Sequence, residues 1–526
     1  MKFKILVVLV AVLTVLTRFI NLDSNPPHLS NDEISIAYDA YSVSKTLRDE
    51  HNHFLPLSFQ SHSTYKAPLT IYLSIPTTII FGNSEIAARA PSAFLGSLTV
   101  LILGLLVFEL TRNKYLSLLT ALILAISPMH ILTSHMAYEA NIGLFFFVLG
   151  IYLFFLSLRK NSNLITFSSF FAFTLSVYSY HTEWVFTPFI IILLYMLNFK
   201  FISKKPKYYI GALIFLVLIT PLVLDFLSNL QTTTRAGTEN LLREPSLAKK
   251  LEDGNFFYWQ KISFILQAFL EKYSSYFNPS YIFFTGYNLL PKGDPFQLGV
   301  FLFIFLPFFC IGIFSLRSFF KGNSKFIYIL LITSPITASL TSGPQSTSRN
   351  LVSLIPISIV CAVGLFIFWK TAGKIWKKAF LIIFAGTFLY FLAIFYYHFP
   401  KDSGEGFQYG YKQIALFIKP RYQNLNLIII DPRFGPANMY SGLPHLYIPY
   451  YTNLDPNKLL ESKRDKAGTF FDKYQIRDIN WDKEELDEGN LYIVPVSNEP
   501  DQKLQLKRIY TITLPNFKPA FYLYIL

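Results

Sequence analysis

Long apolar runs with few polar interruptions dominate the first 400 residues of the chain. Each run is 16 to 20 residues long, close to the roughly 20 residues that an α-helix needs to cross the hydrocarbon core of a bilayer. Eleven such runs predict a polytopic α-helical membrane protein with about eleven transmembrane helices. The predicted spans are 5–20, 91–109, 115–134, 140–158, 163–180, 184–199, 208–224, 297–316, 326–342, 350–369 and 379–397.

The pattern changes after residue 400. Short apolar runs typical of strands replace the long ones, and helical spacing appears between them. Strands mixed with helices over about 125 residues predict a small soluble α/β domain, so we divide the chain into a membrane domain, 1–398, and a C-terminal domain, 399–526. The predicted strands are LNLIIID (425–431), LYIVPV (491–496), RIYTITL (508–514) and AFYLYIL (520–526), and the predicted helices are YGYKQIALFIK (409–419) and PNKLLESKRDK (456–466).

The composition excludes several classes of protein. Of the 526 residues, 52% are hydrophobic and 15% are charged, whereas soluble globular chains carry about 25% charged residues. This excludes a disordered protein and an ordinary cytosolic enzyme. Only two cysteines are present, Cys310 and Cys361, both within apolar runs, which excludes a disulfide framework and a cysteine-based metal site.

The net charge of +14 has a topological explanation. Six short segments at alternate ends of the predicted spans hold 17 Lys and Arg residues and no Asp or Glu, whereas the rest of the chain holds 29 basic and 32 acidic residues. The positive-inside rule places these six segments and the N-terminus in the cytoplasm. A nucleic-acid site would gather its basic residues on one surface, so we expect no nucleic-acid partner. The large loops 21–90 and 228–296, and the tail, then lie outside.

The apolar run at the N-terminus resembles a signal peptide because Lys2 and Lys4 precede it. No small-residue cleavage site follows, so we interpret it as an uncleaved first span with Arg18 reaching outward to the interface. Two further segments of the outer loops are expected to lie on the membrane surface. Ala67–Gly82 is too short to cross and contains prolines, and Phe256–Tyr273 has the spacing of an amphipathic helix.

The polar segment HLSNDEISIAYDAYSVSK (28–45) follows the first span. Ser30 and Glu33 have the spacing of a capping box, which predicts a helix over 34–45 and explains Glu33 without any further function. Asp32 then lies at the second position of the helix, where unpaired backbone N–H groups favour a carboxylate. From the spacing alone, Asp32 is either such an N-terminal carboxylate or a catalytic acid or base.

Several further motifs follow in order along the chain, together with the Asp-Glu pair: YKAPLTIYLSIPTTIIFGNSEIAARAPSAF (65–94), AISPMHILTSHMAYEA (125–140), NPSYIFFTGYNLLPKG (278–293) and the Arg349-containing entry into span 350–369. Together they resemble the bacterial GT-C glycosyltransferases of the glycosyltransferase-39 type, relatives of the protein O-mannosyltransferases and lipid A aminoarabinose transferases. The resemblance covers roughly residues 1–400. It implies a helix bundle with a cavity that opens outward and a sugar donor carried on a polyprenyl phosphate, in agreement with the absence of nucleotide-binding motifs.

The resemblance also implies two catalytic carboxylates. Asp32 matches the family's first-loop aspartate, the general base that takes a proton from the acceptor hydroxyl or amine during an inverting displacement. Glu139, in the short outer loop between the third and fourth spans, matches a second acidic residue of the family; otherwise it is an exposed carboxylate at a helix start. Glu33, the other acid of the pair, is assigned to the substrate site.

Two cations are candidates for the lipid phosphate. Lys66 matches a lysine of the aminoarabinose branch that meets this phosphate; an acidic residue precedes that lysine in the branch, whereas Tyr65 precedes it here. A divalent metal is therefore possible but not supported by the sequence, and His51, His53 and His62 lack metal-site spacing. The second cation is Arg349, and His181 in SYHTEW is a candidate for the sugar pocket.

Two other classes of membrane protein share some of these features. A flippase of polyprenyl-linked sugars, or a polysaccharide polymerase or ligase, would also have many spans. A flippase would have no need of a large soluble tail and would carry charges within its spans, which are nearly absent here. The expected partners are a polyprenyl-phosphate sugar donor, membrane lipids, and a glycan, lipid or protein acceptor.

Overall fold

The computed structural model describes residues 2–61, 64–228, 240–252, 256–286, 298–434 and 442–526. Within these ranges seven helical segments are long and apolar enough to cross a membrane, and an eighth is a pair bent by 64°. The protein is therefore a multi-pass membrane protein, as predicted, while the number eleven stays a prediction. The helices of the membrane part are α1 Lys2–Phe19, α2 Asn31–Thr46, α3 Pro68–Phe81, α4 Glu85–Thr111, α5 Lys114–Ala125, α6 Pro128–Ser134, α7 Glu139–Lys160, α8 Asn163–Val177, α9 Glu183–Ile202, α10 Pro206–Ser228, α11 Pro245–Glu252, α12 Tyr258–Ser275, α13 Leu306–Phe320, α14 Ser324–Thr333, α15 Ile336–Ser339, α16 Leu354–Thr371 and α17 Lys374–Ala393.

The stretch 303–339 folds back on itself between α13 and α14. The Tyr328 hydroxyl donates to the Ile313 carbonyl at 2.5 Å although the two residues are 15 positions apart. In one straight helix 15 residues span about 22 Å, so the chain reverses direction at the turn, where Lys321 has a φ of +47°. This reversal agrees with the two separate spans, 297–316 and 326–342, that the sequence predicts.

The break between α5 and α6 explains the position of Arg18. Pro128 begins α6 and has no N–H group to donate to the Leu124 carbonyl one turn earlier. Arg18 is fully buried and donates to this carbonyl at 3.3 Å, as the Ser127 N–H also does, and to the Ala125 carbonyl at 3.0 Å. The expectation that Arg18 reaches outward to the interface is therefore wrong, because the broken helix leaves carbonyl groups that need a buried donor.

Several basic loops converge at one end of the helix bundle. Glu109 near the end of α4 forms ion pairs with both Arg112 and Arg159, which joins the loops after α4 and α7. Asn161 then accepts hydrogen bonds from Lys205 and Lys207 at 3.0 Å each, which adds the loop after α9. The structure therefore groups three of the six basic segments at the same end, as a common cytoplasmic face requires.

This grouping gives a topological prediction. In a Cys310→Ser background, which removes the exposed native cysteine, single cysteines at the exposed positions Lys204 and Lys503 are expected to label from opposite sides of the membrane. A membrane-impermeant maleimide applied to intact cells should modify only the Lys503→Cys protein, because Lys204 lies with the basic loops. Equal labelling of both sites from outside would contradict the predicted orientation.

The C-terminal domain contains a seven-stranded mixed sheet in the order β4-β5-β6-β3-β7-β9-β8. The central strand β3 is fully buried and runs parallel to β6 and β7, and the outer strands pair antiparallel. A short hairpin, β1–β2, lies in the first loop. The strands are β1 Phe59–Ser61, β2 Thr64–Lys66, β3 Ile428–Ile430, β4 Lys463–Asp465, β5 Gly468–Phe471, β6 Tyr474–Ile476, β7 Leu491–Pro495, β8 Lys507–Thr513 and β9 Pro519–Ile525, and the helices are α18 Phe399–Asp402, α19 Tyr411–Ile418, α20 Pro444–Thr452 and α21 Pro456–Leu460.

The predicted helix 456–466 is wrong in its second half. Helix α21 ends at Leu460, and Lys463–Asp465 forms the exposed edge strand β4. Apolar positions stop after Leu460, so a longer helix would have no apolar face to bury. The four predicted strands and the helix over 409–419 are present with ends within a few residues of those predicted.

The C-terminal domain shares its hydrophobic core with α2. Leu29, Ile34 and Tyr38 belong to the same buried cluster as Tyr447 and Tyr450 of α20. Hydrogen bonds reinforce the contact, since Asn83 donates to the Tyr450 carbonyl at 2.8 Å and the Tyr450 hydroxyl donates to the Ser84 carbonyl at 3.0 Å. The domain is therefore packed against the segment between α1 and α4 over a continuous core.

Deletion of residues 403–526 is consequently expected to destabilise the membrane part as well. The apolar face of α2 would become exposed to water. Thermal unfolding of the purified truncated protein should begin at a lower temperature than that of the full chain, with greater aggregation. An unchanged unfolding temperature would contradict the shared core.

Candidate functional site

The site begins with the N-terminus of α2. Ser30 is the N-cap residue, and its hydroxyl accepts a hydrogen bond from the Glu33 N–H at 3.3 Å. The Glu33 carboxylate accepts one from the Ser30 N–H at 2.9 Å. The predicted capping box is confirmed, and its effect is to fix the first turn of α2, which carries Asp32.

A buried ion pair holds this turn against the bundle. Glu33 and Arg89 of α4 are both fully buried, with 2.8 Å between Glu33 Oε1 and Arg89 Nε. Arg89 also donates to the carbonyls of Pro26 and His28 at 2.9 and 2.7 Å, and the Ala137 N–H donates to Glu33 at 3.1 Å. These partners surround Glu33, so the geometry favours a positioning role for it over direct contact with a substrate.

Asp32 points away from this buried network. Its side chain is 74% exposed, while the side chain of Lys66 is 1% exposed and lies directly against it. Lys66 Nζ is 3.2 Å from Asp32 Oδ1 and donates to the Asp32 carbonyl oxygen at 2.6 Å. An accessible carboxylate therefore has a buried cation beside it, held between hairpin β1–β2 and the start of α3.

Glu139 lies in the same group. It is the first residue of α7, and its Oε1 accepts a hydrogen bond from the Ala67 N–H at 3.0 Å. Since Lys66 and Ala67 are consecutive, one short segment contacts both Asp32 and Glu139. The structure therefore brings together three of the predicted site residues, two acids and one cation, although they come from separate parts of the sequence.

His181 lies beside this group, in the turn before α9. The N–H of Leu69, the second residue of α3, donates to the Tyr178 carbonyl at 3.1 Å, which places the turn next to the Lys66 segment. The His181 ring packs on Trp184 with 4.9 Å between ring centroids. Its position is compatible with the sugar pocket that the sequence predicts.

Arg349 hydrogen bonds within its own loop, 341–350. Arg349 Nη1 donates to Thr341 Oγ1 and to the Ser342 carbonyl, each at 2.9 Å. Lys272 of α12 donates to the Gly343 carbonyl of the same loop at 2.6 Å. This second cationic group is built by α12 and the 341–350 loop, whereas α2, hairpin β1–β2 and α7 build the Asp32 group.

Burial dominates the electrostatics of three titratable groups on and around α2. Burial raises the pKa of Asp39 well above its usual range, and the carboxylates of Glu50 and Asp49 raise it further. Burial also raises the pKa of Glu50 to about 7, although Arg464 of the C-terminal domain opposes this shift. Burial lowers the pKa of His28 to about 4. His28 is therefore neutral near pH 7, which suits its packing on Tyr447 and Tyr451 of the C-terminal domain.

The side chains in the described ranges do not fit a metal held by protein ligands alone. No group of three His, Cys, Asp or Glu residues in those ranges is arranged to hold an ion. His53 instead hydrogen bonds with Asp49 at 3.0 Å, and His62 lies outside the described residues, as does part of the motif 278–293.

Two contributors were not predicted from the sequence. Arg89 is a charged residue near the start of a largely apolar helix, and this is the signal in the sequence for a buried pair. Tyr447 of α20 donates to the Leu29 carbonyl at 2.7 Å and lies 3.5 Å from Asn31, next to Asp32. No local pattern indicates this contact, because the partners are 418 residues apart.

The site can be compared with known proteins. Residues 65–224 match the family described as dolichyl-phosphate-mannose-protein mannosyltransferase. ArnT from Cupriavidus metallidurans, in the apo state, aligns over 98% of this chain and 97% of its own with 12% identity and a TM-score of 0.56; the same protein bound to undecaprenyl phosphate gives 0.58. The Archaeoglobus fulgidus oligosaccharyltransferase in complex with Zn and sulfate gives 0.51 at 14% identity, over 85% of this chain and 61% of its own.

A sequence search of curated proteins finds no match. The structural likeness nevertheless extends over nearly the whole chain, and the matching family region includes Lys66, Arg89, Glu139 and His181. The comparisons support a glycosyltransferase without specifying the sugar. The chain thus has the fold of the GT-C glycosyltransferases, and its predicted similarity to the glycosyltransferase-39 type is confirmed.

Proposed function

We propose that this protein is a membrane glycosyltransferase that moves a sugar from a polyprenyl-phosphate donor to an acceptor on the outer face of the cytoplasmic membrane, with inversion at the anomeric carbon. The observation that carries the proposal is the pair formed by exposed Asp32 and buried Lys66, 3.2 Å apart at the start of α2. The family match and the GT-C fold support the donor class. The acceptor class is a glycan, lipid or protein.

In the proposed reaction Asp32 is the general base. The acceptor O–H or N–H gives its proton to Asp32 while the oxygen or nitrogen forms a bond to the anomeric carbon. The bond between that carbon and the phosphate oxygen breaks at the same time, and its electron pair leaves with the polyprenyl phosphate. Attack from the face opposite the leaving group inverts the configuration.

Lys66 is proposed to stabilise the charge that develops on the leaving phosphate. It is the cation nearest to Asp32 among the contacts described, so a phosphate bound beside Asp32 would meet its ammonium group. Arg349 is proposed as a second cation for the same phosphate, from its own loop. Glu139 is proposed to position the acceptor or share the proton, and His181 to line the sugar pocket.

The geometry of the helices supports an outward-facing site. Glu85 and Glu139 begin α4 and α7, whereas Arg112 follows the other end of α4 and Arg159 lies in the last turn of α7. Since α7 has 22 residues, the Asp32 group and the basic loops are separated by about 33 Å along the helix, the thickness of a bilayer core. If the basic loops are cytoplasmic, the site and the C-terminal domain are extracytoplasmic.

The role of Lys66 gives a further prediction. Lys66→Ala is expected to weaken donor binding and lower turnover together, because the cation would meet the phosphate in the ground state and in the transition state. Binding of polyprenyl phosphate to purified protein and single-turnover transfer should be measured in parallel. Lys45→Ala removes an exposed lysine of α2 and is the matched control. Undiminished phosphate binding by Lys66→Ala would contradict the assignment.

The direct test of the proposed activity uses purified protein in nanodiscs. Radiolabelled sugar presented on a polyprenyl phosphate should be released or transferred with loss of the labelled donor, and the reaction should depend on Asp32. A flippase would move the labelled donor across a vesicle membrane without breaking the sugar–phosphate bond. Glycolipid and glycoprotein profiles of a deletion strain would then identify the acceptor.

A further inference from the structure

A surface cavity of about 690 Å³ lies on the C-terminal domain, away from the Asp32 group. It is formed where α19 and the turn after it face the edge strand β8. No part of the proposed reaction uses it. Its lining residues are Gln413, Leu416, Phe417, Arg421, Ile509 and Tyr510, which we call the platform.

Aromatic rings form the centre of the platform. Phe417 and Tyr510 are stacked with 5.1 Å between centroids and 26° between planes. Tyr510 is 50% exposed and Leu416 is 54% exposed, so an apolar surface remains open to solvent. The electron-rich face of an aromatic ring attracts positively polarised hydrogens, and the C–H groups on one face of a pyranose ring have this character.

Polar groups border the rings. The guanidinium of Arg421 lies 4.0 Å from the centre of the Phe417 ring. Gln413 also lines the cavity, and a side-chain amide can both donate and accept hydrogen bonds. A few placed polar groups around an apolar surface are typical of small-ligand sites.

The local backbone favours a sugar over an added peptide strand. The register of β8 against β9 shifts between Arg508 and Tyr510, leaving Ile509 as an extra residue. Such a bulge interrupts strand pairing and redirects side chains. Charged residues on an edge strand, here Lys507 and Arg508, also oppose pairing with another strand.

Helix α19 connects the platform with the outer loops of the membrane part. Lys412 Nζ is 2.7 Å from Glu85 Oε2 at the start of α4, and Lys412 lies one helical turn before Leu416 on the same face. Tyr409, just before α19, packs on His28 with 6.1 Å between ring centroids. The platform is therefore on the element that docks beside the Asp32 loop.

We propose that the platform binds pyranose rings of a glycan chain on the acceptor. This inference rests on the proposed function and names the acceptor as a glycan or a glycan-bearing molecule. The stacked rings would hold one face of a sugar, and Gln413 and Arg421 would hydrogen bond to its hydroxyl groups. The growing end of the chain would then extend toward Asp32.

The test measures binding of soluble oligosaccharides to the purified full-length protein by saturation-transfer NMR and calorimetry. The probes are mannopentaose, maltopentaose and chitopentaose. At least one is expected to bind, and Tyr510→Ala and Phe417→Ala are each expected to raise its Kd by about tenfold or more. Phe517→Ala is the matched control, because Phe517 is 81% exposed in the turn between β8 and β9.

Three results would overturn the proposal: no binding of any probe to the wild-type chain, binding that Tyr510→Ala leaves unchanged, or displacement of the bound saccharide by an extended Val-Thr peptide. The last result would identify a strand-pairing site instead. Breakdown of the polyprenyl-phosphate donor is measured on the wild-type protein and on the Phe517→Ala control, and both should show it. Failure of the platform is thereby distinguished from failure of the proposed glycosyltransferase, which would abolish donor breakdown in the wild-type protein itself.

Discussion

Asp32→Asn is expected to lower the turnover of sugar transfer by roughly 10²–10⁴-fold, the usual contribution of a general base, while donor binding changes little. Asparagine keeps the size and polarity of the side chain but cannot accept the proton. The side chain is 74% exposed, so the substitution disturbs little packing, and the loss should appear in kcat. Single-turnover transfer and donor binding should be compared at matched expression and unfolding temperature.

The matched control is Asp23→Asn, which removes another exposed carboxylate from the segment between α1 and α3 and should leave turnover unchanged. If Asp32→Asn retains near-normal turnover, the assignment of the base is wrong, and Glu139 becomes the next candidate. Glu139→Gln should therefore be measured in the same series, since both carboxylates contact the Lys66–Ala67 segment.

The second large effect is expected at the buried pair of Glu33 and Arg89. Removal of one partner leaves a buried charge uncompensated, which typically costs about 3–5 kcal/mol. Glu33→Gln and Arg89→Met should each lower the stability of the folded protein by this order, measured by thermal unfolding of the purified protein. Both groups are fully buried, so solvent provides little compensation.

The double variant Glu33→Gln/Arg89→Met tests whether the loss of stability arises from the interaction between these two residues. Because neither charge remains, its loss of stability should be clearly smaller than the sum of the two single losses. Glu85→Gln is a suitable comparison, since its partner Lys412 is 34% exposed at the side chain and water can compensate that cation. Additive losses in the double variant would show that Glu33 and Arg89 act independently.

Glu33 illustrates how far the sequence could take the prediction. The S-x-x-E spacing correctly predicts the capping box, and a capping box alone implies that Gln replaces Glu33 at little cost. The much larger cost expected from the structure arises from Arg89, 56 residues further along the chain. Local patterns describe hydrogen bonds within a turn, but they do not indicate which distant side chain enters the same buried space.

The membrane helices and the site residues were predictable for different reasons. A bilayer requires long apolar segments, so hydropathy alone indicated the multi-pass class. The grouping of Asp32, Lys66 and Glu139 came from a family resemblance and was not evident from spacing. The predicted position of Arg18 is wrong, because a charge at the end of an apolar run usually reaches the interface. The helix break before Pro128, next to which Arg18 is buried, depends on tertiary packing.

The packing of α20 on α2 has a consequence for how the protein is made. Tyr447 and its partner Leu29 are separated by 418 residues, and at about 5–20 residues per second the ribosome needs roughly 20–80 s to add them. During this interval the side of α2 that packs on α20 has no native cover, and the turn that carries Asp32 lacks the hydrogen bond from Tyr447 to Leu29. Only a completely translated chain therefore acquires the finished turn around Asp32, and incomplete chains would expose the uncovered side of α2 to proteases.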